Sequence, residues 1–325
     1  MLFVGTDDGV YEIAGVREPG ETTAERLLNV DRPFRVRQFD GLDGLFVTTS
    51  AGLYYSLDGR TWTRLSVPEA SVYAVAVDPS GDKLYAGTRP ARLFVADAVS
   101  LPTNRTDWTE VEGFRAVRDR SDWGISRHDD VAQVRSLRTD PSNPERIVAG
   151  VEVGGVYVTD DGGETWADRS VGKFDAPHTD DVHHVALGAG DAVVASTGSG
   201  LYRSPDAGWT WQRLDEESDQ RYFREAFVED GVVYAGGSPA HPATWETRDD
   251  HALFECRDGR TLKRVSSPVP DEVAVGWCRV GDDVVAATHR GTLLRCGGGG
   301  WERIGSVPTP GNDPTQSLSM TWVKG

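Results

Sequence analysis

The stretch HTDDVHH, residues 178 to 184, sets three imidazoles and two carboxylates into seven positions. His178, Asp180, Asp181 and His183 offer nitrogen and oxygen donors of the kinds that zinc or manganese accepts. The spacing matches no established metal signature, and a second reading stays open. In it Asp180 and Asp181 cap turn N–H groups while the imidazoles make loop hydrogen bonds. A divalent metal would use His178, Asp180 and His183; no other cofactor is expected. Two longer polar insertions flank this stretch. EGFRAVRDRSDWGISRHDD (112 to 130) brings Arg115, Arg118, Arg120, Trp123, Arg127, His128, Asp129 and Asp130. SPAHPATWETRDDH (238 to 251) brings His241, Trp245, Glu246, Arg248 and His251.

The elements that position these groups show in a repeat. An apolar strand ends in a small residue, a short link follows, and a glycine or small residue precedes an apolar and an aromatic position. The copies include FVGTDDGVY (3 to 11), FVTTSAGLY (46 to 54), IVAGVEVGGVY (147 to 157), VVASTGSGLY (193 to 202) and VVAATHRGTLL (284 to 294). Each continues into a turn and a further strand, and an apolar run such as VYAVAVDP or VRSLRTDP stands before most of them. Four short strands per unit, joined by Gly, Asp and Pro turns, predict an all-β protein: a seven-bladed β-propeller of four-stranded antiparallel blades. The blades fall at approximately 2–30 plus 317–323, 33–66, 71–111, 131–170, 182–214, 222–265 and 272–304, one domain over 1–325. The first copy lacks an innermost strand and SLSMTWVKG supplies one, so the C-terminal strand is expected to close the ring on the N-terminal blade.

The turns share the pattern Ser/Thr, x, Asp, x, Gly, x, Thr, Trp. TDDGGETW (Thr159 to Trp166) and SPDAGWTW (Ser204 to Trp211) are complete, while Ser56 to Trp62 and Cys256 to Leu262 are each one residue short. Asp58, Asp161 and Asp206 can accept hydrogen bonds from their own turns, and Gly163 and Gly208 can take a positive φ. Trp62, Trp166 and Trp211 can fold back over the blade. This pattern resembles the Asp-box, or bacterial neuraminidase repeat, over nearly the whole chain. Sialidase-like, sortilin-like and photosystem II assembly factor-like propellers carry it. The resemblance implies that these turns are structural and lie on the outer, lower rim.

Function is then expected on the opposite face, where fourth-to-first and second-to-third strand links gather. All seven histidines fall there by alignment: His128, His178, His183, His184, His241, His251 and His289. The predicted ligand-binding face comprises Arg89, Arg127, His128, Asp129, Asp130, Arg135, Glu152, His178, Asp180, Asp181, His183, His184, Arg224, His241, His289 and Arg290. The expected function is non-catalytic binding of a protein or small ligand there, by a monomer. The alternative that the resemblance implies is a sialidase-like glycoside hydrolase. Arg135, Arg224 and Arg290 would clamp a carboxylate, Tyr222 would be the nucleophile, Glu152 its partner and Asp129 the acid. The family's Arg-Ile-Pro motif is absent, and seven blades exceed the six of sialidases.

Composition narrows the partners. The net charge is −17, and only Lys83, Lys173, Lys263 and Lys324 are lysines. Such an Asp-rich, Lys-poor balance resembles that of proteins from salt-loving organisms. It argues against binding a phosphate backbone, which needs a basic stripe. No run approaches the roughly 20 apolar residues of a membrane span. With no visible signal peptide, the expectation is a cytoplasmic protein. Cys256, Cys278 and Cys296 read as thiols in apolar strands.

Overall fold

Apolar runs of five to eight residues punctuated by Gly, Asp and Pro become short strands because alternate side chains can then be buried against neighbouring sheets. In a computed structural model of the chain, which describes residues 1–17, 22–124, 129–172, 174–311, 313 and 315–323, these strands form seven sheets. Each sheet has four antiparallel strands, and the sheets stand in a ring: a seven-bladed β-propeller. The innermost strands are Pro33–Phe39, Ser71–Val77, Gln133–Asp140, Val182–Leu187, Tyr222–Glu229, Ala274–Val280 and Met320–Trp322.

The ring closes as the sequence predicts. Met320–Trp322 pairs antiparallel with Leu2–Gly5, Met320 opposite Val4 and Trp322 opposite Leu2. Gly5 N–H donates to Ser319 O at 2.9 Å and Val323 N–H to Met1 O at 2.9 Å, so the chain ends are held in one sheet. Between blades the core is apolar: Leu2, Ile13, Val275, Val285 and Met320 share one cluster, and Val134, Leu137, Ala149, Tyr157 and Trp166 another. Cys256 and Cys278 are buried and Cys296 half-buried, all as free thiols.

The turns close the third-to-fourth strand hairpins. Asp161 accepts from Thr165 N–H at 2.9 Å and from the Thr159 hydroxyl at 2.6 Å, and Trp166 Nε1 donates to Gly163 O at 3.2 Å. Gly163 has φ 100°, a conformation costly for any side-chain-bearing residue. Asp206 repeats the bond to Thr210 N–H at 2.8 Å, and Asp58 accepts from Thr61 N–H at 2.6 Å. These donors hold the Asp161 carboxyl down at about 2. Trp166 is buried and Trp211 partly so, its Nε1 donating to Arg169 O at 2.8 Å.

The two insertions behave differently from open loops. Glu112–Arg118 is a short α-helix whose Phe114 packs edge-on to Trp166, centroids 5.1 Å apart, on the outer edge of the fourth blade. Arg115 and Arg118 pair with Glu112 and Glu110 there, away from the channel. In 238–251, Trp245 is fully buried between His251 and His289, at centroid distances of 6.1 and 5.4 Å.

Candidate functional site

Six innermost strands carry a register irregularity at the same level. The shifts fall between Pro33 and Arg35, Val72 and Ala74, Val134 and Ser136, Val182 and His184, Phe223 and Ala226, and Ala274 and Gly276. A bulge inserts an extra residue and re-aims the side chains beside it. Phe34, Tyr73, Arg135, His183 and Arg224 occupy these positions. Phe34 and Tyr73 stack face to face, 4.0 Å between centroids, and His183 lies 4.8 Å from the Tyr222 ring. Arg35 Nη2 donates to Arg135 O and His183 O, both at 3.3 Å, tying the second, fourth and fifth blades together across the axis.

At the upper end, where the first strands begin, Glu152 binds Arg135 in a short ion pair and accepts from Gln133 Nε2 at 3.0 Å. Burial opposes its ionisation, but Arg135 and the Gln133 hydrogen bond outweigh it and hold the carboxyl well below the usual range. His183 Nδ1 lies 2.7 Å from Phe223 O, which fixes the proton on Nδ1 and turns Nε2 toward Asp181 Oδ1, 3.7 Å away. Burial lowers the His183 pKa, so the ring is neutral. Arg224 Nη2 donates to Thr315 O at 2.7 Å. Burial raises the Tyr222 phenol, against the pull of Arg224 and Arg135.

Lower in the channel, Glu225 is held by Arg35 at 3.2 Å and Arg37 at 3.8 Å, and lies 3.7 Å from His184 Nε2. Arg138 Nη2 sits 2.6 Å from that same His184 nitrogen. Burial, together with Arg37, Arg135 and Arg224, presses Arg35 down to about 9. The channel therefore holds a cationic excess in an acidic protein: Arg35, Arg37, Arg135, Arg138 and Arg224 against Glu152, Asp181 and Glu225.

The sequence-predicted residues divide accordingly. Arg135, Glu152, Asp181, His183, His184 and Arg224 meet in or beside the channel. His178, Asp180, Asp129, Asp130 and His241 are exposed on the links. Arg89 pairs with Asp129 at 3.4 Å, and Arg290 with Glu246 at 3.2 Å and Asp271 at 2.8 Å. His289 is buried against Trp245. Arg127 and His128 lie outside the described residues. Of the metal candidates His178, Asp180 and His183, only His183 belongs to a compact donor set among the described residues. Its companions are Glu152 and Asp181, the three donor atoms lying within 4.8 Å of one another. Oxygen, oxygen and nitrogen suit zinc or manganese. Sequence reasoning missed Arg35, Arg37, Arg138 and Glu225. The signal was charge within runs otherwise read as apolar, in FRVRQF, VRSLRT and FREAF.

The chain matches no protein-family model and no curated protein. Its structure is similar to that of an ancestral GH74 enzyme, with TM-score 0.61 and 15% identity over 95% of this chain and 41% of that one. It is similar to a GH74 xyloglucanase from Xanthomonas campestris, with TM-score 0.59 and 15% identity over 90% and 46%. YCF48 bound to D1 peptide gives TM-score 0.57 and 16% identity over 88% and 84%. The chain thus spans less than half the length of those GH74 enzymes. At these identities the likeness is one of fold.

Proposed function

We propose that this protein is a non-catalytic propeller of the Asp-box type that binds a polypeptide segment over the upper mouth of its channel. The observation that carries this reading is the bulged ring. One level of the ring offers a partly exposed Phe34–Tyr73 stack and the half-buried Arg135 guanidinium, with the buried Arg224 and His183 at the same level. Aromatic faces beside guanidiniums suit a peptide that brings both an apolar side chain and a carboxylate. The links above the ring include Asp129, Asp130, Phe174, Asp175 and His178 at positive φ, strained backbone of the kind that gathers at binding sites. A neighbour of the same fold has been solved bound to a peptide.

The test is a peptide-array screen comparing the wild type with Tyr73→Ala and Arg135→Gln. Peptides with an acidic residue next to an apolar one should be retained by the wild type and lost by both variants. Equal retention by Tyr73→Ala, or no retained peptide at all, would overturn the reading.

A glycosidase reading has one observation in its favour: Arg135, Arg224, Tyr222 and Glu152 do converge. Against it, Arg290 pairs elsewhere and Asp129 is an exposed partner of Arg89. Glu152 is locked ionised, and the Tyr222 phenol is harder to ionise than usual. Turnover of aryl glycosides that disappears in Tyr222→Phe would replace the binding reading.

A further inference from the structure

The other end of the channel is open. Each innermost strand begins at the upper mouth and finishes at the opposite end, where the first-to-second strand hairpins and the Asp-containing turns lie. A cavity of about 620 Å³ enters there and reaches the mid-channel charges. Its walls include Arg37, Arg138, His184, Glu225, Trp277 and Cys278.

The charges of this cavity are unequally matched. Glu225 is taken up by Arg35 and Arg37. At the rim Arg279 is paired with Glu229 at 2.6 Å and with Asp282 at 3.4 Å, and Asp40 adds a further carboxylate. Arg138 has no such partner: its guanidinium donates to Leu137 O at 2.8 Å and meets His184 Nε2 at 2.6 Å, and no carboxylate pairs with it among the described residues. In a chain with 51 acidic side chains and 34 Lys and Arg, a cavity-lining arginine without a carboxylate is conspicuous. His184 deepens the imbalance. Its Nε2 accepts from Arg138, so the neutral ring carries its proton on Nδ1, and that buried Nδ1 has no hydrogen-bond partner among the described residues. Burial and the nearby Arg37 and Arg35 press the Arg138 pKa down to about 9 against the pull of Glu225, which makes no ion pair with it.

We propose that this cavity is a binding site for a small organic or inorganic anion, a carboxylate or a phosphate, with Arg138 as its principal ligand and Arg37 and His184 as its neighbours. The site is distinct from the peptide-binding mouth, since it opens at the opposite end of the ring. A planar guanidinium matches both anion types through paired N–H donors. The volume suits a metabolite-sized molecule and lies within the range of small-ligand pockets. The protein's overall negative charge would exclude large polyanions while the buried arginines select small ones.

Calorimetric titration of the whole protein with succinate and, separately, with inorganic phosphate tests the proposal. At least one probe should bind with one-to-one stoichiometry and raise the Tm. Succinate alone identifies a carboxylate site, phosphate alone a phosphate site. Arg138→Gln should weaken binding about tenfold or more, and Arg138→Lys should restore part of it. Arg295→Gln, which removes a half-buried cation outside the cavity that is paired with Glu302, should leave it unchanged. If Arg138→Gln does not fold, Arg37→Gln and the ligand-induced Tm shift of the wild type decide the matter. Binding of neither probe, or equal binding by the Arg138→Gln or Arg37→Gln protein, would overturn the site. The peptide screen at the upper mouth is unaffected by either result.

Discussion

Arg35 reaches across the channel to Glu225, its Nη1 3.2 Å from Oε2, although 190 residues separate the two in sequence. Both side chains are almost fully buried, at 6% and 5% exposure. The pair links the second and sixth blades, so it acts as an internal brace for the ring rather than as a surface ion pair.

Removing one partner of such a pair leaves the other charge buried without compensation. Glu225→Gln is expected to cost about 3–5 kcal/mol of stability, read as a fall in the urea midpoint. Replacing both groups, as Arg35→Met with Glu225→Gln, should recover part of that loss because Arg35 is then no longer a buried charge without its partner. A Glu225→Gln protein as stable as the wild type would show that water reaches Arg35.

The closing strand makes a different prediction. Thr321 faces Phe3 in the register, between the bonds Gly5 N–H to Ser319 O and Val323 N–H to Met1 O. Proline at 321 cannot donate to the ladder, and the expected cost is about 3 kcal/mol or more. Opening the ring also exposes strand edges, so the variant should self-associate on warming, as seen by light scattering. Unchanged unfolding and no association would mean that the interblade core alone holds the first blade shut.

The fold was readable because every level of the sequence repeats it: apolar runs, small residues at strand ends and Asp–Gly turns recur at regular spacing, and SLSMTWVKG is left over for closure. The arrangement of the channel was only partly readable. A bulge shifts one residue without leaving a compositional mark, so nothing local shows that Arg135 and His183 reach the ring axis while Asp180, next to Asp181, stays exposed. Arg35, Arg37, Arg138 and Glu225 were hidden within strands whose neighbours are apolar. Their pairing joins distant blades, which no short window of sequence contains. Trp245 was misleading for the same reason: its surroundings read as a polar loop, yet His251 and His289 close around it.

The turns can be ranked against the core. Asp161 is half-buried and, among the described residues, its carboxylate binds its own hairpin, whereas Trp166 is 5% exposed and packs on Phe114. Trp166→Ala is therefore expected to cost about 3–5 kcal/mol. Asp161→Asn should lower the Tm by less, and its effect should shrink below the normal carboxylate range, as the wild-type carboxyl protonates on approach to about 2. An Asp161→Asn loss equal to that of Trp166→Ala would show that the turn organises the blade rather than merely fastening it.

Acid sensitivity should come from the buried imidazoles. His289 accepts from Val273 N–H through Nδ1 at 3.2 Å, and burial, with His251 and Arg290 nearby, lowers its pKa to about 4 despite Glu246 at 3.6 Å from Nε2. His183, His184 and His251 are lowered in the same direction, each chiefly by burial. The unfolded chain takes up these protons near pH 6.5, while folded His289 resists until about pH 4, so the unfolded state binds more protons throughout that window. Stability is thus complete above pH 6.5 and falls as pH drops toward 4, with roughly 3 kcal/mol from His289 alone. Unfolding free energies of the wild type and His289→Gln, compared across pH 4 to 7, isolate this contribution from the carboxylates common to both. The difference between the two proteins should narrow as the pH falls, and a pH-independent difference would place a charged His289 in the folded protein.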